Sequence, residues 1–381
     1  MPAWGAIAQE LNKLVLAQQA TGTPPDPLVP SPHDRVRRKY LLDLSDHTGR
    51  PVIVYASGWL EGRPVPDPSV VSVSTRDLMG FMEAVHGLPQ GPLDLILHSP
   101  GGDADAAKAI MSYLRDAGFN PIRAIVPVSA MSAATMMALS CDEILMGRHS
   151  QLGPIDPQFT LATPDGPRSA PAQAILDQFE RAKQECAASP QSLAAWLPIL
   201  RSYSPGLLSQ CLTAQEAAEE TVAAAMTTYM FKDLPSADAA SRAKEIASWF
   251  NSHKTHRSHG KPLRYDDLME KKVRVTLLES DDALQDKVLS AWHGVQLSLS
   301  QVAVNKVIEN SEGRAWMLSG SPGLQIMIGS PTPSPAPARQ LPQGPVPRPN
   351  RAQRRGRHSY DQRLCSAQPC TARNSRAAIA P

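Results

Sequence analysis

Two short segments carry the residues best suited to chemistry. In IVPVSAMSAATMMALSCDEILMG, Ser132 stands where a hydrophobic strand gives way to a helix of small and apolar residues. A hydroxyl at such a junction caps the helix when it accepts an amide hydrogen. Turned into a cleft instead, it is a nucleophile, with the amide of Ala133 beside it to hold an oxyanion. In LDLILHSPGGDADAAKAI, a buried strand ends in Ser99, Pro100, Gly101 and Gly102. The two glycines let the backbone turn sharply and leave its amides uncovered, and amides at a helix start attract negative charge. Either turn alone fits ordinary packing. On neighbouring strands, the pair would supply the nucleophile and both donors that acyl transfer needs.

Positioning these turns requires a layered α/β body. RPVIVYAS, LDLILHS, IRAIVPVSA and DEILMG read as strands, separated by helices over Thr75–Val85, over DADAAKAIMSYLRDAG with Gly118 as its stop, and from about Ser132. Short apolar strands alternating with helices predict a mostly parallel sheet covered on both faces. Residues 171–250 change to a run of four helices, and 262–320 return to α/β through VRVTLLE and a helix over DKVLSAWHGVQLSLS. At the start, residues 4–20 form an amphipathic helix, and TGTPPDPLVPSPHDR reads as a linker in which prolines and charges prevent regular structure. The expected division is 1–34 as helix and linker, 35–320 as the α/β domain including the helical segment 171–250, and 331–381 as a disordered Pro/Arg-rich tail.

Composition narrows the class. The formal net charge of +2 conceals nine arginines against one aspartate from 331 onward, and 29 basic against 35 acidic residues before it. The mildly acidic body argues against nucleic-acid binding there; the tail has the charge to contact acidic partners. Five scattered cysteines without metal-site spacing suit a reduced, cytoplasmic protein. No apolar run approaches the roughly 20 residues of a membrane span, so no transmembrane segment is expected. Nothing near the start reads as an export signal. The sequence lacks HExxH, clustered cysteines, GxGxxG and GxxxxGK[ST], so neither a metal nor a cofactor is expected. Unfolding of a large substrate would then call for a separate ATPase.

In LDLILHSPGGDADAAKAI, IVPVSAMSAATMMALSCDEILMG, HSQLGPIDPQ, HGKPLRYDDL and KVIENSEGRA, the chain resembles the serine dehydrogenase proteinase family. That family shares the Clp-protease/crotonase superfold and is related to signal peptide peptidase A. The resemblance spans roughly residues 35–320. It implies a Clp/crotonase-like parallel-sheet core of βα repeats, with Ser132 as nucleophile and the amides of Gly101 and Ala133 as oxyanion donors. Gly101 is favoured over Gly102. It further implies a serine endopeptidase acting on peptide or unfolded protein, and a homo-oligomer.

The pattern departs at the general base, because the histidine of Clp-type proteases falls here at Ile155 or Asp156. Relatives with a serine–lysine pair point to Lys183, which adjoins the stripe Ile175, Phe179 and Ala182 and would serve only if burial lowered its pKa. His98, His149 and His259 are the other candidates, each with a core or surface reading as its alternative. Asp156 either structures its loop or orients the base; Asp103 and Asp105 suit helix capping. Two rival functions share the fold: crotonase-like thioester chemistry, and a catalytically silent oligomeric interaction protein.

Overall fold

The computed structural model describes residues 4–22, 26, 29–62, 65, 67–163, 166–319 and 325–328. The Pro/Arg-rich tail lies outside these. The chain begins with helices α1 (Trp4–Ala20) and α2 (Pro32–Thr48). α2 departs from the linker expected through position 35. Ser31 accepts the Asp34 amide, Asp34 accepts the Ser31 amide, and Pro32 opens the helix. Proline and charge here start a helix rather than prevent one, because a first-turn proline gives up no intrahelical bond.

Strand β1 (Val52–Ser57) then leads through α3 (Asp77–Val85), β2 (Gly91–His98), α4 (Ala104–Asp116), β3 (Phe119–Val126) and the short β4 (Ser129–Ala130). Next come α5 (Ala133–Leu139), β5 (Glu143–Met146) and β6 (Gln151–Leu152). A hairpin that the sequence did not announce follows, β7 (Gln158–Thr163) and β8 (Gly166–Pro171). The helical stretch comprises α6 (Ala172–Ala188), α7 (Ser192–Leu200), α8 (Leu207–Ala225) and α9 (Ser236–Asn251). The chain closes with α10 (His253–His256), α11 (Tyr265–Glu270), β9 (Val275–Leu277), α12 (Asp282–Gln301), β10 (Val304–Asn310), β11 (Ala315–Ser319) and β12 (Gln325–Ile328).

Eight strands form one sheet in the order β12-β11-β10-β1-β2-β3-β5-β9. From β1 to β9 every pairing is parallel; the β10–β12 wing returns antiparallel beside β1. The fold is thus the expected α/β class, with an antiparallel wing added. Alternation along the strands sorts the core into two layers. Tyr55, Leu95, Leu97 and Val126 pack with α3, α4 and α5 on one face, while Val54, Ala56, Ile96 and Ile125 pack with α2 and α12 on the other. Among the described residues no helix is long and apolar enough to cross a membrane.

The same alternation places His98. Leu97 faces the α4–α5 layer, so His98 turns to the opposite one, its ring centroid 4.4 Å from that of Trp292. Burial pushes its pKa down to about 3. An unfolded chain takes up that proton near pH 6.5, so stability is complete above pH 6.5 and is lost as pH falls toward 3. We expect His98→Leu to lose about 2–3 kcal/mol less than the parent between pH 6.5 and 4.5, at about 1.4 kcal/mol per unit. Urea titrations at the two pH values measure this.

Candidate active site

The two turns meet at the ends of β2 and β4. Ser99 donates its amide to Ser129 O at 3.1 Å and accepts that of Met131 at 2.9 Å. Gly101 has φ 95° and Gly102 φ 148°. A Cβ on Gly101 would stand 2.5 Å from Met131 O, 2.5 Å from Ser132 Cβ and 3.0 Å from Ala133 N. Only a glycine admits the second turn so closely. Asp103 accepts the Asp105 and Ala106 amides at the start of α4, so it caps that helix.

Ser132 does not cap α5. Its backbone lies at φ 50°, ψ −118°, and its side chain makes no capping bond. Such a conformation costs a non-glycine residue on the order of 1–3 kcal/mol, held by surrounding structure. Here the supporting structure is α5, buried along its whole length from Ala133 to Leu139. Thr135 locks the following loop by donating to Ala130 O at 2.7 Å and accepting the Gly153 amide at 3.0 Å.

The open amides are not both the ones to which the sequence pointed. The Gly101 amide points inward to Ser99 Oγ at 3.2 Å. Among the described residues, the amides of Gly102 and Ala133 have no acceptor. The physical reason is the peptide plane: Gly101 O is held by the Val73 amide at 2.7 Å, so the Gly102 N–H across that trans peptide points the other way.

A cavity of about 460 Å³ opens here, lined by Gly101, Gly102, Ser132, Ala133, Asp156 and His259. Ala217 and Thr221 of α8 also line it. Asp156 is 1% exposed, and its Oδ1 accepts His259 Nδ1 at 2.7 Å. Its Oδ2 accepts His253 Nδ1 at 3.2 Å and Gln158 Nε2 at 3.0 Å. The Leu152–Leu263 pair, with both amide bonds at 2.9 Å, ties the histidine loop to the GPIDP segment. Among the described residues His259 Nε2 has no protein partner, as a proton acceptor facing a substrate site requires. No group of three or more His, Cys, Asp or Glu among the described residues is arranged to hold a metal ion. Asp156 uses both oxygens for hydrogen bonds.

The other candidate bases lie elsewhere. Lys183 does not line the cavity; its side chain is 59% exposed and donates to Glu180 at 2.7 Å. Ile175 and Ala182 of the stripe are buried as expected, but each residue along a helix turns by about 100°, which carries Lys183 to solvent. His98 is buried on the far face, and His149 bonds Pro127 O at 2.9 Å. The Asp156–His259 pair, 103 residues apart, was missed as a pair. Its signals were the two motif segments HSQLGPIDPQ and HGKPLRYDDL, which carried no mark of their contact.

A strained serine and an open glycine turn thus meet beside the end of β2 in a largely parallel α/β sheet. Residues 73–193 are similar to the model of the ClpP-like SDH-type serine proteinases. The match includes Gly101, Ser132 and Asp156 but not His259. Two uncharacterized proteins of Methanocaldococcus jannaschii are similar. One is 40% identical over 128 residues, covering 32% of this chain and 43% of its own. The other is 33% identical over 110 residues, covering 29% and 35%. The chain thus spans less than half the length of these relatives. No solved structure matches.

Proposed function

We propose that the protein hydrolyses peptide bonds through an acyl-enzyme on Ser132, with His259 as general base and Asp156 as its orienting carboxylate. The carrying observation is the Asp156–His259 bond at 2.7 Å, in a cavity that Ser132 also lines. His259 Nε2 takes the hydroxyl proton as Ser132 Oγ bonds to the scissile carbonyl carbon. The carbonyl electron pair moves onto oxygen, and the Gly102 and Ala133 amides hold that oxyanion. Its collapse breaks the C–N bond, and the leaving amine takes the proton from His259. Water then repeats the sequence, deprotonated by His259, and releases the acid and free Ser132. A cavity of this size admits a short extended segment and no folded domain, so the substrate is a flexible or unfolded polypeptide.

The test is a fluorophosphonate probe on the purified full chain, read by intact mass and peptide mapping. A single adduct on Ser132, suppressed in His259→Gln, is expected. No adduct on Ser132 in folded parent overturns the reading. Lys183→Ala should label within about twofold of the parent, since an exposed ion pair contributes little; loss of labelling there would return the base to Lys183.

A further inference from the structure

Behind the cavity wall lies a buried ion pair that the proposed chemistry does not use. Lys306 of β10 and Asp77 of α3 are both 0% exposed at their side chains. Lys306 Nζ donates to Asp77 Oδ1 at 2.7 Å, to Asp77 Oδ2 at 2.9 Å and to Ser72 O at 2.6 Å. Asp77 Oδ2 also accepts the Tyr55 hydroxyl at 2.8 Å and the Ser74 amide at 2.9 Å. A charge pair is an expensive way to fill a core, so what it touches matters.

The contact with Ser72 leads to the site. Ser72 O and the Val73 N–H belong to one trans peptide and point in opposite directions. Lys306 grips the first, and the second donates to Gly101 O at 2.7 Å. Gly101 O and the Gly102 N–H are likewise the two ends of one peptide. Pulling on Ser72 O therefore fixes, two peptides later, the direction of the Gly102 N–H. The chain runs from a cation, so each dipole polarises the next toward a stronger terminal donor. The position of Val73 is secured on its other side by the Asp103 amide, 2.9 Å from Val73 O.

We propose that Lys306 is a positioning residue for the oxyanion hole, acting through the Ser72–Val73 and Gly101–Gly102 peptides on the Gly102 amide. The inference rests on the proposed serine chemistry. The informative variant is Lys306→Met with Asp77→Asn. It removes both charges together, so neither is stranded, and leaves an oxygen for Tyr55 and Ser74, while the Ser72 carbonyl loses its donor. Fluorophosphonate labelling kinetics separate the saturation constant from the maximal rate. The maximal rate should fall about ten- to a hundredfold, as for a weakened oxyanion donor, with the saturation constant within about twofold. A merely structural pair would leave both constants at the parent values once the double variant is folded, and that result overturns the proposal. If the parent does not label at Ser132, the serine chemistry itself fails, a separate outcome. Should the double variant not fold, amide exchange in the parent decides. Val73 protected like the central strands supports the chain, and Val73 exchanging like a surface loop overturns it.

Discussion

Ser132→Ala is expected to abolish fluorophosphonate labelling and to lower peptide hydrolysis by roughly 10³-fold or more, leaving what the oxyanion amides and binding supply alone. Ser132→Gly should be equally inactive, yet more stable than Ser132→Ala by about 1 kcal/mol. Both lose the hydroxyl, but only glycine relaxes a backbone held at φ 50°. Thermal or urea unfolding of the two variants, beside their residual hydrolysis, checks both halves. Equal stability would mean that the turn stores no strain at this position. Surviving labelling in Ser132→Ala would place the nucleophile elsewhere.

Asp156→Asn should lower the maximal labelling rate by about 10³–10⁴-fold while Ser132 stays in place. The reason lies in how the carboxylate is already held. Two donors, His253 Nδ1 and Gln158 Nε2, meet at Oδ2, so the single oxygen of an asparagine is drawn to that side. Its amide nitrogen then faces His259 Nδ1, which must become the acceptor. The proton moves to Nε2, the nitrogen that has to accept from Ser132. Rate measurements with Ser132-mapped adducts test this. A loss below about tenfold would reduce Asp156 to a loop-structuring residue.

Local signals in the sequence carried far into the fold. The βα units, the Asp103 cap, the glycine turn and the serine junction each depend on neighbours within a few residues, and each forms where it was expected. The capping box of Ser31 and Asp34 is equally local, although the prolines around it gave the segment the reading of a linker. His98 lies away from the cavity that Ser132 lines, for a reason also present in the sequence. It directly follows Leu97, and strand parity sends the two side chains to opposite faces.

The amino-acid sequence sets the chemistry available: a serine at a strand end, amides freed by glycine, an acidic loop residue and several possible bases. The tertiary structure alone decided which of these meet. Asp156 and His259 are joined by a strand-like pairing of Leu152 with Leu263, and Lys306 reaches Ser72 only because β10 returns antiparallel beside β1. Helix phase sets Lys183 in solvent, and the orientation of one peptide plane exchanges Gly101 for Gly102 as the open amide. Residue type and spacing encode propensity over one or two turns of chain. The direction of a single N–H or imidazole is set by partners contributed from distant parts of the chain, and only the packed fold brings those partners within hydrogen-bond reach.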